Sequence, residues 1–141
     1  MPEFRNITVA VDTNDSVGEL LGYAESIALK FNAKIWVIHV LEDQSDKDQG
    51  STSPDDEIAS KRNMEALCDG FIEDSLEREI LVLNGPTVDR VLEQVKDLGS
   101  DLLIVGTHKY SFLHNLISRR VSIQLFKKSN IPILAIPFED N

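Results

Sequence analysis

Five cationic side chains occupy a long segment that contains no acid, in a chain whose formal net charge is −10. Residues 102–138 contain no Asp or Glu, and the cations among them are Lys109, Arg119, Arg120, Lys127 and Lys128. The segment opens with an apolar run that ends at Gly106 and continues into a basic turn at Lys109. Phosphate groups bind at such strand-to-helix turns of α/β proteins, because free helix amides and added cations meet there. The pattern predicts an anion or phosphate site; the alternative is that these cations only offset acids elsewhere.

The remaining chemistry-bearing residues lack the spacing of a catalytic or metal centre. His39, His108 and His114 have neither a helical HxxxH spacing nor an adjacent set of carboxylates, so no metal is expected. A G-x-S-x-G nucleophile motif is absent, and we expect no enzymatic activity. His39 lies within a predicted strand and is interpreted as a buried structural imidazole.

Length, charge and cysteine content narrow the class of protein. The 141 residues predict a single domain, residues 1–141, that buries roughly two thirds of its unfolded surface. Twenty-four acids against fourteen bases would repel nucleic acids and anionic membranes, so neither partner is expected. A single cysteine, Cys68, excludes an internal disulfide and indicates a reducing compartment. No secretory signal or long apolar run is present, which predicts a soluble, cytoplasmic protein.

Hydrophobic patterning predicts five strands that alternate with four helices. The strands are predicted at residues 6–12, 34–40, 78–83 and 101–106, and from Ile131 to Phe138. The helices are predicted to begin at Ser16, Pro54, Pro86 and near Ser118, with a flexible acidic loop near residues 42–54. Right-handed crossovers between such units give a single doubly wound parallel sheet with helices on both faces. The third strand ends in Leu83-Asn84-Gly85, without the phosphorylatable acid of a response-regulator receiver.

Two further patterns concern packing. In the first helix, apolar residues recur at helical spacing, at Leu20, Ala24, Ile27, Ala28 and Phe31. In the second, a stripe predicted to be buried comprises Met64, Leu67, Cys68, Phe71 and Ile72. The last strand contains Pro132 and Pro137, which lack backbone donors and favour an edge position in the sheet.

The sequence resembles the universal stress protein family over nearly its whole length. The resemblance depends on Val9-Ala10-Val11-Asp12, Ile38-His39-Val40, Gly85-Pro86, the run from Asp101 to His108 and the run from Ile131 to Pro137. It implies a five-stranded sheet ordered 3-2-1-4-5 and a homodimer formed through the last strand, from Ile131 to Phe138. It also implies contacts with other proteins, which the sequence does not identify, and in many members a bound ATP.

The resemblance implies a candidate nucleotide or anion site as well. Its residues are Ala10, Val11, Asp12, Thr13, Val40, Gly106, His108, Lys109, Arg119, Arg120, Val121 and Ser122. Within that set, Ala10, Val11 and Val40 are expected to form an apolar slot beside Asp12, at the adenine and ribose end.

The phosphate loop departs from the pattern of the family's ATP binders, which is G-x-x-G, nine residues, then G-[S/T]. Gly106 matches the first glycine, whereas Lys109, Arg119 and Arg120 replace the small residues. Side chains there crowd a loop whose backbone must approach phosphates, so no cofactor is expected and the loop is interpreted as degenerate. In one version Asp12 pairs with Arg119 or Arg120 and plugs the crevice. The alternative is a switch that binds ATP or AMP and uses the three cations to hold the phosphates.

Overall fold

The structure is a computed structural model that describes residues 3–12, 17–41, 54–108 and 116–138. Its strands are β1 (Asn6–Val11), β2 (Lys34–Leu41), β3 (Arg78–Asn84), β4 (Leu102–His108) and β5 (Ile133–Phe138). Its helices are α1 (Val17–Phe31), α2 (Pro54–Phe71), α3 (Thr87–Asp97) and α4 (Leu116–Lys128). The predicted helix cap at Ser16 and residues 42–53 of the predicted acidic loop lie outside the described residues.

The five strands form one parallel sheet in the order β3-β2-β1-β4-β5, which confirms the expected doubly wound topology. β1 is central, and the chain winds outward from it in both directions, first through β2 and β3 and then through β4 and β5. The place where winding reverses therefore lies between β1 and β4. β5 is an edge strand, as Pro137 within it and Pro132 just before it predicted.

Helices cover the two faces of the sheet and bury two apolar clusters. On the face covered by α1 and α2, called the α1/α2 face, Val9 and Ile104 pack with Leu20 of α1 and Met64 of α2. On the other, called the α3/α4 face, Leu103 packs with Val91 of α3 and Leu125 of α4. Successive strand residues point to opposite faces, so a residue's position in its strand decides which cluster it joins.

Two phenylalanines at helix ends are exposed, and for one of them, Phe71, the sequence predicted burial. Phe31 is 40% exposed, and its ring packs edge to face with the Phe4 ring, with centroids 5.3 Å apart and planes at 84°. Phe71 is 49% exposed, since it lies at the end of α2 and places its ring against Gly18 of α1. A Cβ on Gly18 would lie 2.7 Å from Phe71 Cζ, so a side chain at position 18 would push this exposed ring aside.

Element boundaries differ from the predictions by about two residues in places, as is usual for such assignments. α4 begins at Leu116, before the predicted start near Ser118. β5 begins at Ile133, after the predicted start at Ile131. The Ile131 amide donates to Ser129 Oγ at 3.1 Å, so Ile131 belongs to the turn before the strand.

The amino ends of β1 and β4 are tied together by one carboxylate. Asp101 Oδ2 accepts hydrogen bonds from the amides of Arg5, at 2.7 Å, and Asn6, at 2.8 Å. The Asp101 amide donates in turn to the Asn6 carbonyl at 2.8 Å. Nearby, the hydroxyls of Thr8 and Ser100 form a buried hydrogen bond. These contacts set the relative position of the strands whose other ends form the candidate site.

Candidate functional site

The carboxyl ends of β1 and β4 stand next to each other, as expected for the crevice of a doubly wound sheet. Ala10 of β1 pairs with Val105 of β4, so Val11 and Asp12 continue beside Gly106 and Thr107. Asp12, Gly106 and Thr107 are all partly accessible. The structure therefore brings the candidate residues at the end of β1 next to those at the end of β4.

The α3/α4 side of this edge is apolar and partly accessible. Ala10, Val40 and Val121 are half-buried, and all three pack against the cluster on the α3/α4 face. Val11, which sequence reasoning grouped with Ala10 and Val40, points to the α1/α2 face and is only 6% exposed. An apolar slot at this edge could thus use the side chains of Ala10 and Val40, but only the backbone of Val11.

The α1/α2 side of the same edge is closed by two ring side chains. His39 is 5% exposed, and its Nδ1–H donates to the Val11 carbonyl at 3.0 Å, which fits its interpretation as a structural imidazole. Phe138, at the end of β5, is also 5% exposed, and its ring lies over Gly106. The edge is therefore asymmetric: rings fill one side, and smaller, partly accessible residues line the other.

The cationic half of the predicted site is only partly described. His108 ends β4, and Arg119, Arg120 and Ser122 lie in α4, but their side chains are outside the described part of the structure. Thr13 and Lys109 lie outside the described residues altogether. Arg119 and Arg120 lie near the start of α4, where the positive end of the helix dipole disfavours cations. The first turn of α4 contains no acid that could offset them.

Sequence reasoning missed Phe138 as a neighbour of the site. The contact joins two strands whose relative register is a property of the folded sheet, so residue spacing alone does not reveal it. One signal was present, since a glycine inside a predicted strand often marks a close approach of another group. In this structure that group is the ring of Phe138.

The described part of the chain contains no group of three or more His, Cys, Asp or Glu side chains that could hold a metal ion. A groove of about 600 Å³ runs along α3 and reaches Lys128 of α4, but none of the candidate residues lines it. Among the described helices, none combines the length and the apolar character that crossing a membrane requires.

Comparison with known proteins gives consistent matches. The sequence profile of the universal stress protein family matches residues 3–137. The stress response protein NhaX of Bacillus subtilis (strain 168) is 27% identical over 88 residues, which cover 60% of this chain and 53% of that protein. The chain thus spans about half the length of this curated relative.

The fold is also similar to that of solved universal stress proteins. One of them, in complex with cAMP, has a TM-score of 0.72 at 19% identity and covers 96% of this chain and 98% of its own. A second, from Archaeoglobus fulgidus and in complex with dAMP, has a TM-score of 0.70 at 19% identity, with 96% and 99% covered. At such identities the similarity concerns the fold, and the two nucleotides are ligands of those proteins.

Proposed function

The chain belongs to the universal stress protein family, and we propose that it is a non-enzymatic, homodimeric stress-response protein of the cytoplasm that has lost the family's usual binding of ATP. One observation carries the proposal: long cations, Lys109, Arg119 and Arg120, replace the small residues of the phosphate loop. The protein then acts through contacts with other proteins. Its cleft, at the carboxyl ends of β1 and β4, is a remnant of a nucleotide site.

The physical reason lies in how such a loop holds phosphates. Glycines let backbone amides approach the phosphate oxygens, and they accept conformations with positive φ at little cost. A side chain at position 109 or 119 occupies space that the triphosphate needs, and it strains any backbone with positive φ. Two adjacent arginines near the start of α4 also oppose the helix dipole, at a cost of about 0.3–1 kcal/mol each when exposed. An internal acid can offset them, and Asp12 is our first choice because it follows the end of β1.

Restoring the motif tests the proposal directly. We expect isothermal titration of the wild-type protein with Mg-ATP to give no binding heat. The triple variant Lys109→Gly/Arg119→Gly/Arg120→Ser, which recreates the pattern of the ATP binders, is expected to gain measurable affinity. Micromolar or tighter binding of ATP by the wild-type protein would show that the loop has not degenerated.

A second candidate function is binding of a nucleotide with a single phosphate. The structural neighbours in complex with cAMP and dAMP support it, as do the accessible apolar side chains of Ala10 and Val40 on the α3/α4 side. In this version the guanidinium groups of Arg119 and Arg120 hold the phosphate, as arginine does at many phosphate sites.

Removal of those two arginines tests the second candidate. Nucleotide that copurifies with the wild-type protein would raise its absorbance at 260 nm, and Arg119→Ala/Arg120→Ala is expected to abolish both this signal and binding of added AMP. The matched control is Lys127→Ala/Lys128→Ala, which removes two cations from the last turn of the same helix. Equal loss in both variants would indicate a nonspecific charge effect, and no AMP binding by the wild type would leave only the first function.

The edge of the sheet supports the proposed dimer. The Leu103 amide donates to the Pro132 carbonyl at 3.0 Å, and Leu103 pairs with Ile133. Alternate residues of a strand bond to the same neighbour, so the backbone groups of Ile133, Ala135 and Pro137 face away from β4. Exposed strand edges of this kind are usually covered, and a second copy of the chain is a common cover.

A further inference from the structure

We propose that Phe138 is a positioning residue for the cleft: its ring holds the end of β4 in place, and Gly106 is a glycine to make room for that ring. This inference rests on the proposed function only for the position of the cleft, because the contact between Phe138 and Gly106 is made without a ligand. The first glycine of the nucleotide motif thus has a second role, one that persists whether or not nucleotide binds.

The contact follows from the pairing of β4 with β5. Gly106 pairs with Ile136, and His108 pairs with Phe138, so the Phe138 ring reaches back along the sheet to cover Gly106. Phe138 belongs to the cluster on the α1/α2 face. A Cβ on Gly106 would lie 2.9 Å from Phe138 Cζ and closer still to Cε2, distances that side-chain carbons do not tolerate. An aromatic ring laid over a strand glycine is a known way to fix strand register.

Backbone conformation does not explain the glycine. Among the described glycines, only Gly85 and Gly99 have positive φ, at 126° and 62°. Gly106 therefore adopts a φ that residues with a side chain also adopt, and space remains as the reason for glycine at this position. That reason is the ring, because the nearest atoms to the missing Cβ all belong to Phe138.

Two consequences follow for the cleft. The ring fills the α1/α2 side of the edge at the end of β4, so among the described residues the α3/α4 side, where Ala10 and Val40 are partly accessible, is the side open to a ligand. The ring also links the edge strand β5 to the exit of β4. A partner that shifts the end of β5 would therefore shift Gly106 and the start of the phosphate loop.

A double-mutant experiment tests whether Gly106 and Phe138 depend on each other. Urea unfolding can be followed through Trp36, the single tryptophan of the chain. Gly106→Ala is expected to lower the unfolding midpoint in the wild-type background and to lower it much less in Phe138→Ala, where the ring is gone. Phe126→Ala is the matched control, because Phe126 is 48% exposed on α4 and Gly106→Ala should cost the full amount there. The same cost in all three backgrounds would overturn the proposal.

Hydrogen exchange tests positioning rather than stability alone. In Phe138→Ala, peptides that contain residues 106–108 are expected to exchange faster, while peptides of the interior strand β2, which does not contact β5, stay unchanged. Phe126→Ala should change neither region. Phe138→Leu, which keeps an apolar side chain but lacks the ring, provides the same comparison where the alanine variant does not fold. Unchanged exchange at 106–108 would contradict the positioning role, and because no nucleotide is added, this result is separable from the test of ATP binding.

Discussion

His39 places a polar ring on the α1/α2 face of the sheet, beside an apolar cluster. A buried hydrogen-bonding group that lacks a partner there costs free energy. Its Nδ1–H donates to the Val11 carbonyl at the last residue of β1, so the ring satisfies a backbone acceptor next to Asp12. Since a carbonyl can only accept, Nδ1 must carry the proton. His39 therefore holds the end of β1 and contributes to the geometry of the cleft through the backbone.

Replacement of this imidazole has a predictable cost. His39→Leu fills a similar volume but leaves the Val11 carbonyl without its side-chain donor, and we expect the free energy of unfolding to fall by about 1–3 kcal/mol. His39→Asn, whose amide places a donor near the position of Nδ1, should lose less. Urea unfolding followed by Trp36 fluorescence measures both variants. A leucine variant as stable as the wild type would mean that the hydrogen bond contributes nothing net.

Cys68 gives a second prediction for a single residue, based on thiol ionisation. Burial raises the pKa of the Cys68 thiol from 9.0 to about 11, and the nearby Arg78, which lowers it, offsets only part of this effect. The thiolate is the reactive form, so at pH 8 a two-unit rise leaves about 100-fold less of it in the folded protein. Cys68 is also only 1% exposed, which slows the reaction further, so at pH 8 the native protein should react with a disulfide reagent at least about 100-fold more slowly than the protein in urea. Equal rates in the two states would show that Cys68 is accessible and ionises normally.

The sequence predicted the buried state of Cys68 because the residue lies on a helical apolar stripe. The same stripe wrongly placed Phe71 in the core, since periodicity does not show which residues at the end of a helix lie beyond its packing partners. For the candidate site, the sequence located the ends of the first and fourth strands, but it grouped Val11 with Ala10 although the two point to opposite faces. Strand alternation alone could have separated them. The ring of Phe138 depends on strand register, which no local pattern contains.

At the scale of elements, β1 is held at both ends by side chains from its neighbours. Asp101, just before β4, binds two amides at its amino end, and His39 of β2 binds a carbonyl at its carboxyl end. A central strand needs such contacts because the residues at its ends lack complete ladder hydrogen bonds, and each unpaired buried group costs stability. Both contacts hold β1 against the strand on either side of it.

The Asp101 contact gives a prediction at this scale. Asp101→Ala removes the acceptor for the amides of Arg5 and Asn6, and we expect a loss of about 1–3 kcal/mol in the free energy of unfolding, because hydrogen bonds to a charged group are strong. Asp97→Ala is the matched control, since Asp97 is an exposed acid in the last turn of α3 and should cost little. Urea unfolding compares the two. Similar effects of both substitutions would indicate that only net charge is involved.

Element order was the most predictable property of the fold. Alternating strand and helix patterns predicted all nine elements, and Pro132 and Pro137 predicted that the last strand lies at an edge. The strand order itself came from the family resemblance, because helical crossovers of similar length permit several orders. The start of β5 was set two residues early, since Ile131 is apolar like the strand but donates its amide to the Ser129 hydroxyl.

At the scale of the whole molecule, the distribution of acids along the chain bears on the edge of the sheet formed by β5. β5 and α4 both belong to the segment from 102 to 138 that contains no acid, in a chain with ten more acids than bases. Among the described residues, the edge strand β5 therefore contains none of the acids whose like charges would keep two such edges apart, and the first acids after it are Glu139 and Asp140. Pro137 removes one outward donor near the end of this edge, which leaves the amides of Ile133 and Ala135 for any added strand.

Removal of one of these amides tests the proposed dimer. Ala135→Pro deletes an outward donor without touching the bonds to β4, because the backbone of Ala135 faces away from that strand. In a twofold dimer the substitution acts once in each copy and removes two hydrogen bonds, at about 1 kcal/mol each. We therefore expect the dimer dissociation constant to rise roughly 30-fold. Ala135→Val, which keeps the amide and favours strand conformation, is the matched control and should sediment like the wild type. A wild-type protein that sediments as a monomer at micromolar concentration would exclude the dimer, and an unchanged constant in Ala135→Pro would place the interface elsewhere on the molecule.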